Sequence, residues 1–292
     1  MFVATLIAAG KLTGEVVRDA IDRMAHAGLH CEAPHWIDDG DALDLHFSGS
    51  LVTARHLLTD WVKGMDVVIQ PAADRRKKLL IADMDSTMIT VECIDELADY
   101  AGIKPQVAAI TERAMRGELD FQAALIERVR LLGGMPETVL ADCLDERVDI
   151  MAGAHTLVQT MKAHQARAVL VSGGFLPFAQ PVADRIGFDR AQANQLEVVD
   201  GRLTGRVIEP IFDSGGKLSA MVEECIRMGI LPAQVLAVGD GANDIPIITS
   251  AGLGIAFHAH PAAAAAADAA IRHHDLTALL WAQGYPRAEW TG

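Results

Sequence analysis

The chain has 292 residues, of which 51% are hydrophobic and 22% are charged, and its formal net charge is -14. This length fits about two domains, and the negative charge argues against nucleic acids and anionic membranes as partners. No apolar run approaches the ~18 residues of a membrane-spanning helix, and the opening residues lack the basic start of a signal peptide. The four cysteines form no CxxC pair. We therefore expect a cytoplasmic protein with reduced cysteines.

The first 75 residues alternate between strand-like and helix-like patterns. In chain order, the predicted elements are a strand at 2–8, a helix at 14–27, strands around Trp36 and at 43–47, a helix at 53–63 and a strand at 65–70. This βαββαβ order predicts a ferredoxin-like domain over residues 1–75. A basic cluster, Arg75-Arg76-Lys77-Lys78, follows, and we expect it to be a solvated linker.

Residues 76–292 predict a second domain of the α/β class, with a doubly wound parallel sheet. Helix-compatible segments follow apolar runs that are typical of strands buried on both faces. These runs lie at 79–82, 168–171, 235–238 and 253–256. An Asp200-Gly201 pair between two strand-like runs predicts a hairpin.

Residues from about 92 to 152 have a helical pattern throughout, which predicts a helical cap inserted into the second domain. The predicted helices lie at 94–100, at 105–115, at 121–132 and from 136 onward, and glycines such as Gly117 separate them. A further, alanine-rich helix is expected at 262–267. Four histidines near the end of the chain lack carboxylate or thiol partners at ligand spacing, so we expect solvated loop side chains. They are His258, His260, His273 and His274.

Two carboxylates, Asp83 and Asp85, directly follow the first predicted strand of this sheet. If the chain stays extended there, both side chains leave on the same side, at the sheet edge where open α/β folds bind ligands. Such a pair attracts a hard cation such as Mg²⁺, and an aspartate that attacks phosphorus can work with a second one that transfers protons. The same spacing also fits an Asx turn, a helix cap or the metal site of an unrelated transferase.

Two further segments offer groups that bind an anion. Ser172, Gly173 and Gly174 follow the second strand and present a hydroxyl and backbone N–H groups, although an ordinary strand-to-helix turn has the same pattern. Lys217 opens a helix predicted at 218–228, where the helix dipole favours anions over cations. An anionic partner such as phosphate would explain a lysine at that place.

The strand predicted at 235–238 ends in Gly-Asp-Gly-Ala-Asn-Asp, residues 239–244. It would bring Asp240 to the same sheet edge as the first carboxylate pair, as a third metal ligand. Asp244 is placed to hold Lys217 or a metal-bound water, and Asn243 to donate to phosphate or substrate. A calcium-binding loop would require a bidentate glutamate that this segment lacks.

In this order, the four segments resemble the four motifs of the haloacid dehalogenase superfamily of phosphatases, over about residues 78–275. The resemblance implies a phosphatase that forms an aspartyl-phosphate and uses Mg²⁺ as its cofactor. It implies that Asp83 is the nucleophile and that Asp85 is the acid and base. The residues that it assigns to phosphate or substrate are Ser172, Gly173, Lys217 and Asn243. The residues that it assigns to Mg²⁺ are Asp83, Asp85 and Asp240, with Asp244 supporting these ligands.

Two stretches are similar to the phosphoserine phosphatase family within that superfamily. They are residues 83–98, and residues 114–121 followed by Arg128. The similarity implies hydrolysis of O-phospho-L-serine, the last step of serine biosynthesis. It also implies that Glu92 holds the amino group of the substrate, that Arg128 holds its carboxylate and that Phe121 shields the site. A zwitterionic amino acid does require one anion and one cation beyond the phosphate site.

The substrate and the N-terminal domain leave alternatives open. Another small phosphate, such as phosphohomoserine or a sugar phosphate, would use the same core motifs. A regulatory binding protein would keep the same core without turnover, although the intact core residues argue against it. The N-terminal domain resembles an ACT-type module, which would either bind an amino acid or pair two subunits into a homodimer.

Overall fold

This computed structural model of the protein describes residues 1–116 and 118–292, so Gly117, predicted to end the second cap helix, lies outside the described residues. The elements, in chain order, are β1 Phe2–Ile7, α1 Gly14–His26, β2 His30–Cys31, β3 His35–Asp38, β4 Ala42–Ser48, α2 Leu51–Leu58, β5 Asp66–Pro71, β6 Leu79–Ala82, α3 Cys93–Tyr100, α4 Lys104–Met115, α5 Phe121–Arg130, α6 Thr138–Arg147, α7 Ala154–Ala163, β7 Arg167–Phe175, α8 Leu176–Ile186, β8 Arg190–Val199, β9 Arg202–Ile208, α9 Ser214–Met228, β10 Val235–Gly239, α10 Ile245–Ser250, β11 Leu253–Phe257, α11 Pro261–Ala266, β12 Ala269–Ile271 and α12 Ala278–Ala282. Among these, no helix has both the length and the apolar character that crossing a membrane requires.

The first sheet is antiparallel, with the strand order β2-β4-β1-β5, and β3 also pairs with β4. Because side chains alternate along a strand, Leu6 and Leu45 pack on one face in the same core as Met24 of α1 and Leu58 of α2. The other face carries Ile7, which belongs to the core of the second sheet. This arrangement confirms the ferredoxin-like prediction for the N-terminal part of the chain.

The second sheet has the order β12-β11-β10-β6-β7-β8-β9, and only the pairing of β8 with β9 is antiparallel. Those two strands are joined by Asp200 and Gly201, whose φ angles of 51° and 71° suit the tight hairpin predicted for this dipeptide. The doubly wound fold class predicted from the sequence is therefore confirmed. The boundary at residue 75 and the cap limits of 92 and 152 remain our proposal for dividing the chain.

The cap helices α3 to α6 lie between β6 and β7 in the chain, and the loop after α5 is fixed to the β8–β9 hairpin. The N–H of Gly134 donates to the carbonyl of Leu203 (2.8 Å), and the N–H of Leu203 donates to the carbonyl of Met135 (2.9 Å). Arg202 adds a bond from its Nη1 to the carbonyl of Gly134 (2.6 Å). One end of the cap is thus anchored on the core.

The basic cluster that follows β5 is solvated only in part: Arg76 and Lys78 are exposed as we predicted, whereas Arg75 and Lys77 are not. The side chain of Arg75 is 14% exposed and its Nη2 lies 2.7 Å from Oδ1 of Asp44, while buried Lys77 donates to the carbonyl of Ala233 (2.9 Å). The prediction was wrong for these two residues because a charge pattern does not show partners that are 31 and 156 residues distant in the chain.

The N-terminal domain, residues 1–75, packs directly on the end of the chain. Asp66 of β5 accepts hydrogen bonds from the backbone of Arg272 and His273 and from Nδ1 of His274 (2.8 Å). His274 is therefore largely buried, whereas we had predicted a solvated side chain. Asp38 of β3 accepts from Nε1 of Trp281 (2.6 Å). These bonds join the first sheet to segments near β12 and α12.

Helix α9 begins earlier than its sequence pattern suggested. We expected it at residues 218–228, after Lys217 and the two glycines that precede this lysine. The carboxylate of Asp213 accepts from the N–H groups of Gly215 (2.9 Å) and Gly216 (3.2 Å) and so caps a helix that starts at Ser214. Lys217 therefore lies within the first turn.

Candidate active site

The edge of the second sheet brings two carboxylates together. The neighbouring strands β6 and β10 are parallel, and Ala82 pairs with Val238 close to their carboxyl ends. Asp83 follows β6 directly and donates its backbone N–H to the carbonyl of Val238 (3.0 Å), while Asp240 follows β10. Parallel strands in one sheet end on the same side, which places both aspartates at one edge.

Lys217 of α9 contacts this edge. Its Nζ lies 2.7 Å from Oδ1 of Asp83 and 2.7 Å from Oδ1 of Asp244. All three side chains are buried. Although burial opposes a charged amine, the two carboxylates raise the pKa of Lys217 above its ordinary value. The lysine is therefore a fixed cation at the sheet edge.

The carboxylates of Asp83, Asp240 and Asp244 each offer one oxygen within 4.8 Å of the other two. The hydroxyl of Thr87 donates to Oδ1 of Asp240 (3.2 Å), and the N–H of Gly241 donates to Oδ2 of Asp244 (3.1 Å). Burial and the charge of Asp244 raise the pKa of Asp240 to about 6 and that of Asp83 well above its ordinary value. Because one lysine does not balance three carboxylates, the group fits a divalent cation bound by oxygen ligands.

The carboxylate of Asp85 is held by different partners. Its Oδ1 accepts from the N–H of Cys93 (2.9 Å), and its Oδ2 accepts from the hydroxyl of Ser172 (3.3 Å). The chain is not extended here as we had expected, because β6 ends at Ala82 and the chain turns, with a φ of 53° at Ser86. The carboxylate of Asp244 takes part in the group of three carboxylates, whereas we had expected it to support the metal ligands without joining them.

The last residues of β7, Ser172 to Phe175, approach the carboxylate of Asp85 and the cap closely. The N–H of Gly174 donates to Oγ of Ser172 (2.9 Å). A Cβ atom on Gly174 would lie 2.8 Å from Oδ2 of Asp85, and one on Gly173 would lie 3.0 Å from Cζ of Phe121. A side chain at either position would therefore have to displace Asp85 or Phe121.

A cavity of about 560 Å³ lies between the cap and the core. The predicted site residues that line it are Asp83, Asp85, Glu92, Phe121, Arg128, Gly173, Asp240 and Asn243. Ser172, Lys217 and Asp244 contact this set through the bonds given above. The structure therefore brings all of the predicted site residues to one place.

Glu92 and Arg128 provide opposite charges on the cap side of the cavity. The hydroxyl of Ser86 donates to Oε1 of Glu92 (2.6 Å). Although the side chain of Glu92 is exposed within the cavity, desolvation by the surrounding protein, followed by the charge of Asp85, raises its pKa to about 7. Arg128 is half-buried, and burial lowers its pKa, but a guanidinium remains a cation near neutral pH.

Three residues donate hydrogen bonds to carboxylates of the site, although we assigned them no role from the sequence. They are Ser86, which holds Glu92, Thr87, which holds Asp240, and Cys93, whose backbone N–H holds Asp85. The two hydroxyls lie next to the first aspartates and could have been considered on that ground. Cys93 acts through its main chain, which leaves no signal in the residue type.

Comparison with known proteins extends this description. The sequence pattern of one protein family, the haloacid dehalogenase-like hydrolases, matches residues 80–249 of this chain. A phosphoserine phosphatase of Mycobacterium tuberculosis is 45% identical over 227 residues, which are 77% of this chain and 55% of that protein. A phosphoserine phosphatase of Archaeoglobus fulgidus is 44% identical over 74% of this chain and 63% of its own length. This chain thus spans less than two thirds of either relative.

A solved structure, the unliganded form of a probable phosphoserine phosphatase from Vibrio cholerae, has a TM-score of 0.77 and 29% identity to this chain. The likeness covers 99% of this chain and 87% of that one, so it includes both sheets. With the family match over the residues that build the sheet edge, and with the carboxylates and the lysine gathered there, the chain belongs to the haloacid dehalogenase-like hydrolases.

Proposed function

We propose that this protein hydrolyses O-phospho-L-serine to L-serine and inorganic phosphate. The observation that carries the proposal is that one cavity is lined by Asp83 and Asp85 and also by Glu92 and Arg128. The first two residues supply the chemistry of phosphate transfer, and the last two match the ammonium and carboxylate groups of an amino acid. The naming of the relatives as phosphoserine phosphatases supports the same substrate.

In the first step, Asp83 attacks phosphorus. Its Oδ1 accepts from Nζ of Lys217 (2.7 Å) and from the N–H of Met84 (2.8 Å), so we assign Oδ2 as the nucleophile. The new bond joins Oδ2 to phosphorus, and the bond between phosphorus and the serine oxygen breaks. Asp85 gives its proton to the leaving serine oxygen, and the burial that raises its pKa favours the protonated acid needed for this transfer.

In the second step, water attacks the aspartyl-phosphate. Asp85, now ionised, takes a proton from the water as the oxygen binds phosphorus, and the bond to Oδ2 of Asp83 breaks to release phosphate. We assign Ser172, Gly173 and Lys217 to the phosphate oxygens, where their hydroxyl, N–H and ammonium groups stabilise the transition-state charge. Asn243 lines the cavity beside them and is assigned to the same group.

We propose Mg²⁺ as the cation of the site, with Asp83, Asp85 and Asp240 as its ligands. The structure supports Asp244 as an additional candidate, since its carboxylate lies in the same group of three. Bound there, Mg²⁺ would neutralise part of the charge on the carboxylates and on the phosphoryl oxygens. Phe121, which lies against Gly173, is assigned to shielding the reaction from bulk water.

The setting of the reaction also stays a proposal. We place it in the cytoplasm, as the last step of serine biosynthesis, and we expect the N-terminal domain to be the part through which two subunits would pair. Since one face of its sheet already packs on the C-terminal part of this chain, such pairing would have to use its helices or its outer strands.

An assay of phosphate release from a panel of monoesters, with and without Mg²⁺, tests the proposal. We expect O-phospho-L-serine to be preferred over phosphohomoserine, sugar phosphates and p-nitrophenyl phosphate, and turnover to require the metal. A protein that binds serine but releases no phosphate from any ester would overturn it.

Arg128→Ala tests the assignment of the substrate carboxylate. It should lower kcat/KM for phosphoserine by about 10- to 100-fold, because a charged hydrogen bond is lost, while p-nitrophenyl phosphate, which lacks the carboxylate, should be far less affected. Arg130→Ala, an exposed arginine on the same helix, is the matched control. Equal losses on both substrates in the Arg128 variant would remove this residue from substrate recognition.

A further inference from the structure

Asn194 of β8 is a buried amide close to the site whose role the reaction scheme leaves unassigned. Its side chain donates from Nδ2 to the carbonyls of Gly173 (2.9 Å) and Phe212 (2.9 Å), and its Oδ1 accepts from the N–H of Phe212 (2.7 Å). The residue is 2% exposed. An amide has two N–H donors, and both are used here.

The bond to Gly173 repairs an interruption of the sheet. Val171 pairs with Gln192 and Phe175 pairs with Asn194, so three residues of β7 lie between these pairs and only one residue of β8 does. The surplus residues bulge out of the ladder at the glycine-rich turn, as extra residues in a strand do. The carbonyl of Gly173 accepts from the side chain of Asn194, which supplies a hydrogen bond at the bulge.

The bonds to Phe212 hold the segment that leads into α9. Phe212 is followed by Asp213, which caps the helix through the N–H groups of Gly215 and Gly216. Lys217 lies in the first turn of that helix. The Asn194 amide therefore connects the end of β7, which carries Ser172, to the start of α9, which carries Lys217, although these segments are far apart in the chain.

We propose that Asn194 is a positioning residue that sets the spacing between the two phosphate-binding segments. This inference rests on the proposed function, in which Ser172 and Lys217 contact the same phosphoryl group. Asparagine suits the task because two neighbouring carbonyls need donors while one N–H needs an acceptor. An aspartate of the same shape would offer no donor to either carbonyl.

The test compares Asn194→Asp with Gln283→Glu in the full-length protein. Gln283 is also a fully buried amide, bonded to the N–H of Lys77 and the carbonyl of Leu279 at the opposite end of β6. Both variants should lose thermal stability. We expect only Asn194→Asp to weaken the binding of inorganic phosphate in the presence of Mg²⁺, measured by titration calorimetry, by about tenfold or more, with a comparable or larger fall in kcat/KM.

Phosphate affinity and kcat/KM within twofold of the wild type in folded Asn194→Asp would overturn the proposal, and so would an equal loss of phosphate affinity in Gln283→Glu. If Asn194→Asp does not fold, Asn194→Ala is judged by the same criteria. If neither folds, hydrogen exchange on the wild type decides, because added phosphate should slow the exchange of the Phe212 amide, and an unchanged rate would contradict the inference. A wild type that releases no phosphate from any ester would instead refute the proposed function.

Discussion

The active site and the interface of the N-terminal domain both bury charged side chains, but they differ in how completely opposite charges are paired. At the interface, Arg75 donates to both carboxylate oxygens of Asp44, to the hydroxyl of Thr5 and to two carbonyls of the C-terminal segment. At the active site, Lys217 is the one lysine or arginine of the described residues that forms an ion pair with the group of Asp83, Asp240 and Asp244. A buried pair of matched charges offsets part of the cost of its own desolvation, whereas unmatched buried charge stays costly and marks a place for a ligand.

The largest effect is expected from Asp83→Asn. The variant keeps the shape of the side chain but loses the nucleophile, so phosphate release from the preferred substrate should fall by on the order of 10⁴-fold or more. Thermal unfolding should show no loss of stability, because one of several crowded carboxylates has been neutralised. A variant that keeps more than a small fraction of wild-type turnover would contradict the role of Asp83, and an equally slow but unstable one would contradict the view that the charge there is unmatched.

Arg75→Met, at the interface, should lower stability without lowering turnover. Removing the guanidinium leaves the buried carboxylate of Asp44 without its cation, which should cost about 3–5 kcal/mol of unfolding free energy. Denaturant unfolding measures this cost, and kcat at a temperature where the variant is folded should stay close to that of the wild type.

The double variant Asp44→Asn with Arg75→Met is the control for Arg75→Met. It should recover part of the loss, since neither partner is then left as an unpaired charge. If the single and double variants were equally unstable, the pair would not be coupled as the geometry indicates.

A smaller effect is expected for Asp66, which ties β5 to the segment after β12. Although burial opposes it, the hydrogen bonds from His274 and from the backbone of Arg272 and His273 lower the pKa of Asp66. The carboxylate thus stabilises the folded state at pH values above its ordinary pKa of about 4, and this contribution is lost as the pH falls through the lowered value.

Asp66→Asn should therefore reduce the fall in unfolding free energy between about pH 5 and pH 2. Denaturant unfolding at a series of pH values measures this slope. Asp22→Asn, at an exposed position of α1, is the matched control. Parallel curves for the wild type and the Asp66 variant would show that these bonds contribute nothing to the pH dependence.

The sequence alone was sufficient for much of the fold, and it named the candidate residues that the structure gathers around one cavity. Apolar runs that end in Asp83 and Asp240 define two neighbouring parallel strands, and the Asp200-Gly201 pair defines the hairpin, because these signals are local. The boundary of α9 was misplaced because the cap at Asp213 outweighs the low helix propensity of the glycines after it.

What the tertiary structure decided are the contacts between residues that are distant in the chain. It decided that Asp244 joins Asp83 and Asp240 while Asp85 bonds to Ser172, since a turn after β6 redirects that carboxylate. It also decided that Arg75 is buried against Asp44, and that one amide, Asn194, connects Gly173 of β7 to Phe212 before α9. The sequence by itself determined which chemical groups end each strand, because strand and turn patterns are local. Which of these groups become partners depends on packing, because the burial and the directions of side chains arise only when separate segments meet.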